Sequence, residues 1–366
     1  VAVHNGKAVK RAPEAPQGLP ARVFLGPAAW FCGEGAWEAA AAELAAWPRP
    51  LGLLGEAGLL KRFRAPLQRA LIESGLEVEL LAQSDGADCD EAGPARVLAQ
   101  AQARNVKSLL AFGGGRMMDL GKRTAALGGW RLASLPTSAA TCAAASAVAV
   151  VNGPDGGYLR VDDLGRPPEL CAVELEPLRQ APPRLLAAGL ADTLAKWLEW
   201  RAVEGSPGHF GAAAGWALAR QAAEDCQRRG ERALRDPRGD DLVACVEACL
   251  LASAAASCAG EAPAAAAHSL ANALSRQAPG RGLLHGEAVG LGLLWQESLL
   301  AQVDRENMGA SGLRDQLRAW GLPVALPPGL DLERLLDDAL AEDETVHLMG
   351  LRLDRALAGR TLPLDA

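Results

Sequence analysis

The hydrophobic pattern of this 366-residue chain changes period at Pro182-Pro183, and that change limits the folds open to it. Upstream, from Arg22 to about Val173, short apolar runs alternate with amphipathic stretches. Leu51-Gly52-Leu53-Leu54 reads as a buried strand and is followed by a helical segment around Leu59 to Ser74. Leu76 to Leu81 reads as strand, Arg96 to Arg104 as helix, Ser108 to Phe112 as strand and Asp119 to Leu127 as helix. Strand and helix in turn predict βαβ units and a doubly wound parallel sheet. Downstream the strand signals fade. Leucines recur at helical spacing through Leu185–Ala202, Ala212–Arg229, Leu242–Ser257, Ala264–Leu274 and Glu287–Val303. The expectation is an α/β domain over residues 21–180 and an all-helical domain over 181–366, preceded by a flexible arm over 1–20.

Composition removes several classes of function. A net charge of −7 speaks against nucleic acid, because phosphate backbones need clustered Lys and Arg. Aromatic residues are 4% of the chain with a single Tyr, too few for stacking platforms on single strands. The uncharged stretch Leu132–Pro154 is broken by Pro136 and by hydroxyl residues, so no membrane partner is expected. The eight cysteines form no CxxC pair, and in a chain of this length they read as buried thiols of a reducing, cytoplasmic compartment. The polar start, Val1 to Pro20, does not read as a secretory signal.

The residues able to carry chemistry fall into two groups. In the first half, Gly113-Gly114-Gly115 links an apolar strand to a helix holding Asp119 and Lys122. Such a turn lets a backbone approach a ligand closely and aims helix N-terminal amides at phosphate oxygens. Neither GxGxxG nor GxxxxGK[ST] occurs. Glu56 closes the Leu51–Leu54 strand, where an acid can accept from ribose hydroxyls and repel a 2′-phosphate. Pro136-Thr137-Ser138, with Thr141 and Ser146, offers hydroxyls and amides beyond a further strand. In the second half, only five histidines exist in the whole chain, and two of them stand in unusual settings. His268 follows four alanines, and His285 opens His285-Gly286-Glu287 in a Gly-rich turn before an apolar helix. Asp192 lies among small residues in Gly189-Leu190-Ala191-Asp192-Thr193. Two imidazoles and a carboxylate suit a divalent metal left open to substrate. Taken singly, each has a plainer reading: a satisfied core histidine, or an Asp192–Lys196 helix ion pair.

Their order and context go further. The pattern Gly113-Gly114-Gly115-Arg116-Met117-Met118-Asp119-Leu120-Gly121-Lys122 is joined by Pro136-Thr137, Pro183–Asp192, the alanine-rich His268 segment and His285-Gly286-Glu287-Ala288-Val289. Ala341–His347 adds an echo. Through these motifs, over roughly residues 22–350, the chain resembles the iron-containing alcohol dehydrogenase superfamily and its glycerol dehydrogenase branch. The resemblance implies a nucleotide-binding α/β domain, a helical domain, an active site in the cleft between them, and a homo-oligomer. It implies metal ligands at Asp192, His268 and His285, which are also the catalytic set. NAD binding is implied at Glu56, Gly113, Gly114, Gly115, Asp119, Thr137, Ser138, Thr141, Ser146 and Val148. The implied cofactors are NAD and Zn2+, with Fe2+ also suited to the donor set, and the implied substrate is a small alcohol or polyol.

The match is incomplete. Glycerol dehydrogenases usually carry Thr-Asp-Ala-Pro-Cys near the substrate; this chain has Thr141-Cys142-Ala143-Ala144-Ala145. Their second histidine, three residues after the first, is Ala271, and the lysine of their HGEKV is Ala288. Each change removes a polar group, so retained metal chemistry with an altered substrate pocket is expected. A glycerol-1-phosphate dehydrogenase or a dehydroquinate-synthase-like enzyme is an alternative. It calls for a basic cluster, of which residues 262–290 offer only Arg276 and Arg281. A non-catalytic ligand-binding homologue is the other.

Overall fold

The computed structural model describes residues 24–83, 89–153, 156–203, 210–259, 264–278, 280–302 and 312–364, so the expected arm over 1–20 lies outside it. Two compact units emerge. The first runs to Ser138 and resumes over Ala143–Ala181; the second takes Ala139–Cys142 and Pro182–Ala366. The short excursion of Ala139–Cys142 has a steric basis. A Cβ at Gly189 would lie 1.8 Å from the Ala139 carbonyl oxygen, so this backbone touches the helical unit where no side chain intervenes.

The first unit is built on strands β1 (Ala29–Gly33), β2 (Leu51–Glu56), β3 (Val78–Gln83), β4 (Ser108–Gly113), β5 (Arg131–Pro136), β6 (Val148–Asn152), β7 (Tyr158–Asp163) and β8 (Leu170–Glu174). Six of them form one parallel sheet in the order β1-β8-β5-β4-β2-β3, while β6 and β7 pair as an antiparallel hairpin. Every residue of β4 is buried, so both faces of the sheet centre are covered, as its unbroken run Leu109-Leu110-Ala111-Phe112 requires. Phe112 anchors one core cluster by edge-on contacts with Trp37 and Phe63, at centroid distances of 5.6 and 6.1 Å. The chain passes from β2 outward to β3 and then returns to the other side of β2 for β4, after which it runs on through β5 to β8. The order thus reverses between β2 and β4, the place in open α/β sheets where ligands bind beyond the strand ends.

Local chemistry moved some boundaries. The helix expected over Leu59–Ser74 is broken at Phe63 into Ala57–Arg62 and Arg64–Leu67, then ends in a wider turn at Gln68–Ile72. Pro66 has no N–H to give the Arg62 carbonyl, which ends the first piece. The strand expected at Leu76 starts at Val78, after a turn at Gly75 with φ of +81°.

Among the described residues the second unit contains only helices, with Pro183–Ala202, Phe210–Arg235, Asp240–Glu247, Ser253–Cys258, Ala266–Ser275 and His285–Ala301 the principal ones. Alanine and glycine recur among their buried residues, beside leucine. Trp197 and Trp216 fill one junction edge to face at 4.8 Å. By length and apolarity the stretch Asp240–Cys258 could cross a membrane, yet 56% of it is buried within the fold, as for a core helix.

Candidate metal and cofactor sites

Three helices of the second unit each contribute one donor. Asp192 comes from the middle of Pro183–Ala202, His268 from the first turn of Ala266–Ser275, and His285 from the first position of His285–Ala301. Both histidine Nε2 atoms lie 3.5 Å from the same oxygen, Asp192 Oδ1. All three donor atoms fall within 4.8 Å of one another. A tetrahedral ion with bonds near 2.0–2.1 Å separates its ligands by about 3.3 Å, so the spacing suits one divalent ion. The donor set carries its own sign of a missing partner. Asp192 Oδ1 is buried and accepts no hydrogen bond, although leaving a buried carboxylate oxygen unmatched is costly. The residues therefore fit the metal expected of them.

Glycine allows the three helices to come this close. A Cβ at Gly286, next to His285, would sit 1.8 Å from the Ala188 carbonyl oxygen on the Asp192 helix. One at Gly292 would sit 2.2 Å from the Ala267 carbonyl oxygen, next to His268. The candidate ligands thus stand beside points where backbone rests on backbone, and the imidazole centroids are 5.5 Å apart.

His285 was expected in a turn, but it is the first residue of the helix. Glu287 explains the shift, since its carboxylate reaches back to accept the Leu284 N–H at 2.8 Å and starts the helix two residues early. Arg184 holds that carboxylate in a two-pronged ion pair at 2.5 Å and also donates to the Gly282 carbonyl. The His285 side chain is 43% exposed against 4% for Asp192, so the donor set is reached by solvent on the His285 side.

One residue beside the donor set escaped the sequence reading. Glu199, fully buried, accepts the backbone N–H groups of Ala265 (2.7 Å) and His268 (3.0 Å) on one oxygen. Its other oxygen lies 2.5 Å from His268 Nδ1. Its signal was spacing: Glu199 stands seven residues, two helical turns, after Asp192 and so shares its face. Electrostatics follow from these contacts. Burial opposes the charge of Asp192, but Lys196 one turn on and the two imidazoles hold its carboxyl well below the usual range. Burial likewise opposes charge on Glu199, and His268 with the two backbone donors holds it low. Burial would lower His268, yet Glu199 outweighs it and the imidazole is pushed up to about 9.

The sequence-derived cofactor residues divide. Glu56 ends β2, Gly113 ends β4, and Thr137-Ser138 follow β5, three neighbouring strand ends at the reversal of the sheet. They are close in fact: a Cβ on Gly113 would lie 3.3 Å from Glu56 Oε1, and one on Gly114 would lie 3.9 Å from Ser138 Oγ. Thr137 donates its N–H to the Gly113 carbonyl at 3.0 Å. Gly115 starts the helix Gly115–Gly128. Asp119, Ser146 and Val148 gather around Lys122, on and beside the helix that Gly115 starts. That buried ammonium pairs with Asp119 at 2.9 Å and donates to the Ser146 hydroxyl and the Val148 carbonyl. Thr141 lies in the segment that groups with the second unit.

Comparison with known proteins finds relatives of one family. Residues 27–172 match the family model for iron-containing alcohol dehydrogenase. A glycerol dehydrogenase of Escherichia coli is 29% identical over 312 residues, 81% of this chain and 83% of that protein. A glycerol-1-phosphate dehydrogenase [NAD(P)+] of Methanoregula boonei is 31% identical over 281 residues, 73% of this chain and 75% of that protein. Matches to such relatives span 62–86% of their lengths. The crystal structure of a probable glycerol dehydrogenase from Sinorhizobium meliloti superposes with a TM-score of 0.79 at 24% identity, covering 93% of this chain and 97% of that one. With a three-helix Asp-His-His donor set and a glycine turn at the sheet reversal behind these matches, the chain belongs to the iron-containing alcohol dehydrogenase family.

Proposed function

We propose that the protein is an NAD-dependent, metal-dependent oxidoreductase acting on CH–OH groups, an alcohol or polyol dehydrogenase like the glycerol dehydrogenases it is similar to. The observation that carries this reading is the orphaned Asp192 Oδ1 with two imidazole Nε2 atoms 3.5 Å away. Asp192, His268 and His285 would hold the ion, and a divalent metal supplies Lewis-acid polarisation of a substrate oxygen. Zinc suits two imidazoles and a carboxylate best, with Fe2+ the other candidate. In the first unit, the backbone of Gly113–Gly115 and the start of the following helix receive the pyrophosphate of the dinucleotide. Glu56 accepts from a ribose hydroxyl and disfavours the 2′-phosphate of NADP. The hydride chemistry itself belongs to the nicotinamide, and the protein supplies orientation and charge.

The substrate pocket differs from that of a typical glycerol dehydrogenase. Cys142 is half-buried, while Ala271 and Ala288 are buried in helix contacts, so none of the three supplies a carboxylate, imidazole or ammonium. A less hydroxylated alcohol than glycerol follows from those losses. A phosphorylated substrate finds little support, because Arg276 is already paired with Glu344 at 3.0 Å and Arg184 with Glu287. The test is absorbance at 340 nm with NAD and a panel of alcohols and diols, and with NADH and hydroxyketones, before and after chelation. Turnover lost on chelation and restored by zinc is expected. Turnover that survives complete removal of metal would contradict the reading.

A further inference from the structure

Glu199 is buried without an arginine or lysine hydrogen-bonded to it among the described residues, and its three donors all come from one short stretch, Ala265–His268. One oxygen receives two backbone N–H groups at the start of the Ala266–Ser275 helix, which has no side-chain cap of its own. The other faces His268 Nδ1 at 2.5 Å. A carboxylate has no proton to give, so the ring must donate from Nδ1. A neutral imidazole with its proton on Nδ1 presents a lone pair at Nε2. In this structure Nε2 is the atom that faces Asp192 Oδ1.

We propose that Glu199 is a positioning residue that sets the His268 tautomer and ring orientation for metal binding, through the same carboxylate that caps the His268 helix. This rests on reading Asp192, His268 and His285 as the metal ligands. The arrangement is unequal. His268 is fixed at its ring, whereas His285 is set through its backbone by the Glu287 carboxylate on Leu284 N–H. Asp192 and Glu199 lie two turns apart on one helix, so a single rigid element holds both a ligand and the group that orients the second ligand.

Glu199→Gln separates the two duties of the carboxylate. The amide oxygen can still accept both backbone N–H groups, so the helix cap survives. Its NH2 group then faces Nδ1, which must accept, and the proton moves to Nε2, the atom the metal needs. The experiment compares wild type and E199Q, each titrated with zinc in competition with a chromophoric chelator, with Tm recorded for the metal-free proteins. The expected result is a loss of about 10- to 100-fold in zinc affinity with Tm near that of wild type. Nitrogen-15 NMR of zinc-loaded wild type should place the His268 proton on Nδ1, a readout that holds even where E199Q does not fold. Unchanged affinity in E199Q, or a His268 proton on Nε2, overturns the inference and leaves the metal site standing. Wild type that binds no zinc and no Fe2+ removes the metal site itself.

Discussion

At the scale of single residues, the chain is read through groups whose surroundings do not satisfy them. Asp192 Oδ1 is buried with no hydrogen bond, and two imidazole nitrogens approach it without bonding to it. Glu56 sits beside Gly113 at a strand end, and its proposed role is to select the dinucleotide. Replacing it by alanine removes a hydrogen bond to a charged group, worth about 1.5–3 kcal/mol. Glu56→Ala should therefore shift the ratio of kcat/KM for NAD over NADP by about tenfold or more toward NADP; an unchanged ratio takes Glu56 out of the site. The thiols give a prediction of opposite character. Burial pushes Cys89 up to about 11 and Cys245 up to about 12, and lifts Cys171 well above the ordinary range; at Cys226 the hydrogen bond its thiol donates to Cys249 acts first and burial adds to it. At pH 8 a pKa near 11 leaves about one Cys89 in a thousand as thiolate. Brief iodoacetamide treatment of the native protein, read by peptide mass spectrometry, should leave all four unmodified. Rapid labelling of any of them would show that its surroundings open.

At the scale of elements, the site is a consequence of how closely helices pack. The Gly292 backbone lies against Ala267 and the Gly286 backbone against Ala188, each contact one residue or a few from a candidate ligand. Gly292→Ala forces the His268 and His285 helices apart, at a cost of about 1–3 kcal/mol for overpacking. Zinc affinity should fall with stability in this variant, measured by chelator competition and thermal melting. Wild-type affinity in a folded G292A would mean that the helix approach does not set the ligand geometry. Elements were legible in the sequence where one period was sustained. The buried run at β4 and the long alanine and leucine helices could be placed to within a few residues. The short edge strand Ala29–Gly33 and the β6–β7 hairpin could not, because both are only partly buried and their residues do not alternate between apolar and polar. Among candidate site residues, Asp192, His268 and His285 were singled out by their motifs, and the fold brings their donor atoms together. Glu199 was not, since a glutamate in a helix reads first as a solvated charge, and only the fold shows it buried against His268.

At the scale of the whole molecule, the two units carry the two candidate sites. The parallel sheet gathers Glu56, Gly113, Gly114 and Ser138 at one reversal of strand order, and the helical unit gathers the metal donors. Loss of one should leave the other intact. Asp192→Ala should lower kcat/KM by at least on the order of a thousandfold, since Lewis-acid stabilisation is worth several kcal/mol, while NAD binding by calorimetry stays near wild type. Loss of NAD binding along with the metal would show that the two functions are not separable in this way. The most direct measurement is metal content per chain. Wild type, Asp192→Ala, His268→Ala and His285→Ala are each loaded with zinc, desalted and analysed by elemental mass spectrometry, with circular dichroism to confirm the fold. One zinc per wild-type chain and close to none in the three folded variants is the predicted result. A full equivalent retained by folded Asp192→Ala would place the metal elsewhere and contradict the account.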